Sequence, residues 1–354
     1  MEITGGGRLE VRVTSADVGK RVSVRYVTDS VSAGERFSDA VGVLTSWDGG
    51  VITITRKSGE AVRIPELRLV AGKIAPPAPA RRRGPAATFP ELSRVAARAW
   101  QPVETERLGE WTLRAAIQEG PGEARPGGAV AGRRVGFTRR ANSVLPEGDP
   151  GLPVAEALEV VREWYAAREL PAYVQAATGA EGTQELLCAE LERLGWRREV
   201  TAELRTAALA PLADLDADAG AVRIGRTLDE PWLRRYQRFT GASPVVRQVL
   251  SSGPSVWFAS VAGTGEVPAA IGRCVVDGRW AGFMAIEVDP GHRRRGLATA
   301  VMTALARQAL DEGASAAWLQ VEADNDGARA LYEGMDFAVH HHYHHYRHHG
   351  RAEA

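Results

Sequence analysis

The residues best suited to chemistry lie between Met284 and Leu310, in MAIEVDPGHRRRGLATAVMTALARQAL. An apolar, β-prone run ends near Val288, Asp289, Pro290 and Gly291 mark a loop, and Arg293, Arg294 and Arg295 lead into Gly296. From Leu297 the apolar residues recur at helical spacing (Leu297, Val301, Leu305), and Gly313 is a C-terminal stop. A strand that feeds a helix through such a turn leaves the first N–H groups of the helix without partners. Those groups, the helix dipole and the neighbouring guanidinium charges together favour a bound anion, most naturally a pyrophosphate. Neither the Gly-x-x-x-x-Gly-Lys-Ser/Thr loop of nucleoside triphosphate sites nor the Gly-x-Gly-x-x-Gly loop of dinucleotide sites stands here. The competing reading is a row of solvated arginines at a helix start.

A second segment follows the strand-like run Ala317 to Val321 (AWLQV): Asn325, then ARALYEGMDF from Ala328 to Phe337. Arg293-x-x-Gly296-x-Ala298 resembles the acetyl-CoA pyrophosphate loop of the GNAT N-acetyltransferase superfamily, Gln/Arg-x-x-Gly-x-Gly/Ala. Asn325, Ala328, Leu331, Tyr332 and Phe337 stand in register with that superfamily's Asn-x-x-Ala-x-x-Leu-Tyr-x-x-x-Gly-Phe segment. Asp336 departs from the pattern where glycine is usual, at a site expected to need a left-handed helix exit, which Asp tolerates better than most residues.

The resemblance implies acetyl-CoA as co-substrate. It implies that backbone groups of Ile286 and Val288 pair with the pantetheine arm and that Arg293, Arg294, Arg295, Gly296, Leu297, Ala298 and Thr299 hold the pyrophosphate. Asn325 then contacts the cofactor or braces the adjoining strand splay. Aminolysis of a thioester adds its own demands. A protonated alkylamine costs on the order of 4 to 5 kcal/mol to deprotonate at pH 7, so a base or water relay is needed. Glu287, at the end of the strand, is the candidate, against the alternative that it faces solvent. The backbone N–H of Val288 is the candidate oxyanion donor. Tyr332 matches the superfamily's tyrosine as proton donor to the leaving thiolate, and the plainer reading of it is an aromatic at a helix–core seam.

Composition narrows the field. Lys+Arg and Asp+Glu both number 44, for a formal net charge of zero, so no global field draws the chain to nucleic acid or to a membrane. The 44% hydrophobic content over 354 residues supports two or three packed domains. The two cysteines, Cys188 and Cys274, are far apart and read as buried thiols in a reducing compartment. The start MEITGGGRLE lacks the apolar core of a secretory signal, and no run reaches membrane-spanning length, so a cytoplasmic protein is expected.

The expected fold class is α+β, a small N-terminal β-barrel followed by tandem GNAT-like mixed sheets flanked by helices. Residues 1–74 carry short alternating strands with hairpin signals at Asp48-Gly49-Gly50 and Lys57-Ser58-Gly59, read as an SH3-like barrel that packs on the catalytic part or docks a protein partner. Residues 75–90 are a Pro/Arg-rich linker, with Arg81 to Arg83 solvated. Residues 91–215 read as a degenerate half. In it, GFTRRANSVLP (Gly136 to Pro146) is expected as a strand and Pro153 to Leu170 as a helix. ELLCAELERLGW (Glu185 to Trp196) imitates the segment around Tyr332, with Gly195 opposite Asp336. No Arg-x-x-Gly loop recurs there. Arg139, Arg140 and Asn142 are candidates for the substrate cleft, weighed against polar residues on a sheet surface, and Glu119 to Arg133 is expected as an excursion between strands. Residues 216–354 are the active half. Helices are expected at Pro231 to Gly241 and Pro244 to Ser251, and the last strand carries His340 to His349, expected to show incidental metal affinity only. This order resembles a group of actinobacterial GNAT proteins.

The expected activity is acetyl-CoA-dependent N-acetylation of a primary amine, without a metal. Its rivals are an enzyme for a small amine, an amino acid such as glutamate or an aminoglycoside-like compound, and a non-catalytic acyl-CoA-binding regulatory protein.

Overall fold

Alternating apolar residues build the first strands: β1 (Arg21–Val27), β2 (Phe37–Asp48), β3 (Val51–Thr55), β4 (Ala61–Pro65) and β5 (Leu69–Ile74). In the computed structural model, which describes residues 10–28, 37–76, 84–120, 123–124, 130–131, 133–236 and 243–349, they form one antiparallel sheet in the order β4-β3-β2-β1-β5. Val22, Val24, Leu44, Ile52, Ile54 and Ile64 point into one buried cluster, as the period of two requires. The linker run Arg81–Arg83, most of the stretch between Glu119 and Arg133, and the residues after Tyr236 in the expected 231–241 helix lie outside the described residues.

Helix α1 (Phe89–Ala99) is capped by Thr88, whose hydroxyl accepts the Glu91 N–H at 3.3 Å. After it come the hairpin of β6 (Glu104–Leu108) and β7 (Trp111–Ala115), and the short strands β8 (Ile117–Glu119), β9 (Glu123–Ala124), β10 (Val130–Ala131) and β11 (Arg134–Gly136). Then follow α2 (Val154–Ala166), β12 (Tyr173–Thr178), α3 (Glu185–Arg193), β13 (Trp196–Ala208) and α4 (Leu209–Ala213). The remaining elements are β14 (Val222–Gly225), α5 (Glu230–Arg235), α6 (Pro244–Leu250), β15 (Ser255–Val261), β16 (Ala270–Asp277) and β17 (Trp280–Val288). After these come α7 (Leu297–Asp311), β18 (Ala316–Glu322), α8 (Asp326–Gly334) and β19 (Ala338–His348). The chain is thus α+β.

The strands from β12 onward form one eight-stranded sheet in the order β12-β19-β13-β18-β17-β16-β15-β14, while β6–β7, β8–β11 and β9–β10 pair separately. The last strand, β19, lies between β12 and β13, pairing Tyr173 with Arg347 on one side and Trp196 with His348 on the other. In turn β13 separates β18 from β19. Each half of the chain therefore lends a strand to the other. On one face of the sheet, α7 lays Val301, Met302, Leu305 and Ala309 over Ala270, Cys274, Ala281 and Phe283. On the other, α1, α5 and α6 enclose Trp232, Trp280 and Trp318. A methyl group at Gly272 would stand 2.4 Å from Val301, so glycine is what lets α7 approach the sheet.

One expectation changes. The stretch from Gly136 to Pro146 is not a continuous strand: after β11 the backbone turns at Thr138 (φ +56°) into a short 3₁₀ turn at Arg139–Ala141. The Asn142 carboxamide causes this, donating to the Phe137 and Thr138 carbonyls and accepting the Ala116 N–H at 2.8 Å, so a side chain takes the bonds a ladder would use. The histidine run is the last strand, as expected, and it lies interior to the sheet, with His341, His344 and His345 buried. His344 is held between the Thr178 and Thr201 hydroxyls at 3.0 and 2.9 Å.

The N-terminal sheet sits on this strand through its Lys57-Ser58-Gly59 turn. The Thr178 hydroxyl donates to the Lys57 carbonyl at 2.9 Å, and the Lys57 ammonium reaches the Val339 carbonyl at 3.5 Å. Among the described residues no helix is long and apolar enough to cross a membrane.

Candidate active site

The sheet opens where β17 and β18 stop pairing. They run parallel from Trp280 opposite Ala316 to Phe283 opposite Leu319 and then part. Beyond that point β17 stays with β16 and β18 stays with β13, whose Ala202 faces Glu322. The parting begins where the β16–β17 register shifts and Ala285 takes φ +51°, a left-handed conformation unusual for alanine. An extra residue of this kind bends and twists its strand away from its neighbour. A cleft of about 880 Å³ fills the fork.

Its floor is the arginine–glycine loop. The Asp289 carboxylate sets the turn, accepting from Gly291 N–H at 2.8 Å, contacting His292 Nδ1 at 3.2 Å and pairing with Arg235 at 2.6 Å. The His292 contact, followed by the Gly291 N–H, holds that carboxyl below its usual range. Arg294 (φ +64°) and Gly296 (φ +76°) both take the left-handed conformation, and Gly296 caps α7 with no side chain to accept its first N–H groups. The first helical bond is Ala300 N–H to the Gly296 carbonyl at 2.9 Å, so the N–H groups of Leu297, Ala298 and Thr299 precede it. Ile286, Glu287, Val288, Arg293, Arg294, Gly296, Leu297, Ala298 and Thr299 all line the cleft, whereas Arg295 does not.

The opposite wall is α8. Asn325 lines the cleft and caps this helix, accepting the Ala328 N–H at 3.1 Å. Tyr332 also lines the cleft, with its ring edge-on to Phe337 at 6.0 Å. Burial alone pushes its phenol up to about 12. The helix then leaves through Asp336 at φ +62°, the left-handed exit expected there, as Gly195 does after α3 at φ +83°. Strand β13 steadies α8 from the other half: its buried Glu203 pairs with Arg205 at 2.6 Å and with Arg329 of α8 at 3.2 Å.

Trp100, Tyr236, Gln320 and Glu322 line the cleft as well, and the sequence offered no signal for them because each arrives through long-range packing. Of the candidates between Arg139 and Asn142, Arg140 lines the cleft. Arg139 pairs with Glu199 at 3.5 Å, and Asn142 is structural as described. Arg273 holds this end together. Fully buried, it donates to the Leu250 carbonyl at 2.6 Å, the Ala99 carbonyl at 2.9 Å and the Ser252 carbonyl at 2.6 Å, and reaches the Met284 sulfur at 3.0 Å. Burial lowers its guanidinium to about 10, still charged at neutral pH. Arg273→Leu strands three carbonyls and should cost at least about 3 kcal/mol, read as a lower urea midpoint; an unmoved midpoint would remove it as a clamp.

Comparison with known proteins follows this geometry. A family model described as "Probable histone acetyltransferase Rv0428c C-terminal" matches residues 87–346, and one described as "Rv0428c N-terminal Sm-like domain" matches residues 16–73. The molecule belongs to an acetyltransferase family. It belongs to the Rv0428c family, N-terminal Sm-like domain included. Among solved structures it is similar to a GCN5-related N-acetyltransferase from Kribbella flavida, at 20% identity over 73% of this chain and 95% of that one, with a TM-score of 0.47. It is also similar to a tandem GNAT protein from the clavulanic acid biosynthesis pathway, at 17% identity over 75% of this chain and 89% of that one, TM-score 0.47. No curated protein matches the chain.

Proposed function

We propose that the chain transfers the acetyl group of acetyl-CoA to a primary amine, which attacks the thioester directly. The observation that carries this reading is the forked cleft floored by the left-handed Arg294 and Gly296 at the start of α7. In it the N–H groups of Leu297, Ala298 and Thr299, with Arg293 and Arg294, receive the pyrophosphate. Ile286 and Val288 pair through their backbone with the pantetheine arm, and Asn325 borders it. Arg295, outside the cleft wall, adds only long-range positive charge.

The reacting carbonyl then lies between the strand ends. Glu287, directly or through water, takes a proton from the acceptor's ammonium so that the neutral amine attacks, and the Val288 N–H supports the oxyanion. Tyr332 delivers a proton to the departing thiolate. A phenol raised to about 12 keeps its proton throughout the physiological range, which suits a donor. The division at 1–74, 75–90, 91–215 and 216–354 goes with this reading: the last part is catalytic, the 91–215 part supports it, and the N-terminal domain buttresses it or receives a protein partner. The matched family's description, "Probable histone acetyltransferase", puts lysine peptides among the amines to be screened.

An acceptor screen of the purified chain, following CoA release with peptide and small-molecule amines, tests the reaction; binding of acetyl-CoA without release above background would make the protein a sensor. Tyr332→Phe should lower kcat about 10- to 100-fold while leaving acetyl-CoA affinity in place. An unaltered rate would take the tyrosine out of the mechanism.

A further inference from the structure

One end of the cleft carries Arg140, a cation that forms no ion pair among the described residues, although Glu322 lines the main cleft and one small cavity with it. Arg140 lines the main cleft and both small cavities beside it. Its Nε donates to the Tyr343 hydroxyl at 3.1 Å, and its guanidinium carbon lies 5.8 Å from the Trp100 ring centre. Among the described residues no carboxylate lies within ion-pair distance of it. Its neighbours differ: Arg139 has Glu199 at 3.5 Å, and the buried Arg114 is satisfied by the Ser143 carbonyl and hydroxyl at 2.8 Å each.

Unused hydrogen-bonding capacity surrounds Arg140. Trp100 Nε1, Gln320 Oε1, Thr138 Oγ1 and both ring nitrogens of His345 are buried without a partner among the described residues. Thr138 and His345 line one of the small cavities with Arg140, while Trp100 and Gln320 line the other and the main cleft. Folded proteins leave few such groups unpaired, at about 1–3 kcal/mol each. The two small cavities, of about 20 Å³ each, have room for no more than a water, so Trp100 Nε1 and Gln320 Oε1 beside Arg140 on the main cleft mark the place that a polar ligand completes. Burial keeps the His345 imidazole neutral, leaving it one N–H to donate and one lone pair.

We propose that Arg140 binds a carboxylate of the acceptor, so that the acceptor is an amine carrying its own acidic group, of the amino-acid type. The guanidinium fork matches a carboxylate bidentately, and the amine of such a molecule then faces Glu287 and the fork. The inference rests on the acetyl-transfer reading and narrows its acceptor from any primary amine to a zwitterionic one.

The test is CoA release by the full chain with free L-amino acids, the matching amino-acid amides, and a C-terminally amidated lysine peptide. The free acids should exceed their amides about tenfold or more in kcat/KM, because a buried donor set rejects an analogue that leaves it unpaired. Arg140→Gln should collapse that ratio through KM while acetyl-CoA affinity is retained, and Arg140→Lys should restore part of it. Equal use of acid and amide, preference for the lysine peptide, or a ratio that survives Arg140→Gln overturns the proposal. Absence of CoA release with every amine defeats the acetyl-transfer reading separately. Calorimetric binding of the same acid–amide pairs to CoA-loaded protein then decides the carboxylate site, and equal affinities overturn it.

Discussion

Gly296→Val should weaken acetyl-CoA binding at least about a hundredfold. The residue caps α7 at φ +76°, where a β-branched side chain is strained by on the order of 1–3 kcal/mol. Among the described residues nothing beyond its own chain neighbours lies within 4 Å of a Cβ placed there, so the fold itself raises no clash. The cost falls on the loop, which relaxes toward negative φ and turns the N–H groups of Leu297, Ala298 and Thr299 away from the anion; any methyl that remains occupies the face the phosphates approach. Gly296→Asn, which tolerates the left-handed region, should retain much more affinity than the valine variant. Calorimetry on both variants decides the matter: valine at wild-type affinity would mean the diphosphate is held elsewhere.

Lowering the pH from 7.5 to 5 should destabilise the protein by several kcal/mol through the interior histidines. Burial depresses His344 to about 3 and holds His341 and His345 well below the ordinary imidazole value. In the unfolded chain each titrates near 6.5. Between those limits the unfolded state binds more protons, so the stability is fully present above about 6.5 and drains away as pH falls toward the folded values. At pH 5, His344 alone contributes a loss of about 2 kcal/mol, with the same sign from the other two. Staying at or above pH 5 keeps most carboxylates out of the transition. Urea midpoints at the two pH values test this, with His344→Gln expected to flatten part of the slope. Equal midpoints would mean the imidazoles are already charged or exposed in the native state.

Local structure was legible in the sequence and long-range pairing was not. The loop from Arg293 to Thr299 and the helix carrying Tyr332 stand where spacing put them, because a glycine cap, an asparagine cap and a left-handed Asp336 are all settled within a few residues. Strand order was not legible: nothing local to AVHHHYHHYRH says that it lies between Tyr173–Thr178 and Trp196–Ala208. Trp100 and Gln320 reach the cleft through packing that no short motif encodes. The strand expected over Gly136 to Pro146 gave way because one carboxamide, Asn142, competes for the backbone.

The exchange of strands has a consequence for how the molecule is made. β12 and β13 leave the ribosome long before the strand that must come between them, so the earlier half has to wait, with the edges of both strands unpaired, until the histidine-rich segment arrives. Such edges invite pairing with other chains. Co-translational capture by chaperones, and failure of either half to fold when expressed alone, are the outcomes this architecture entails.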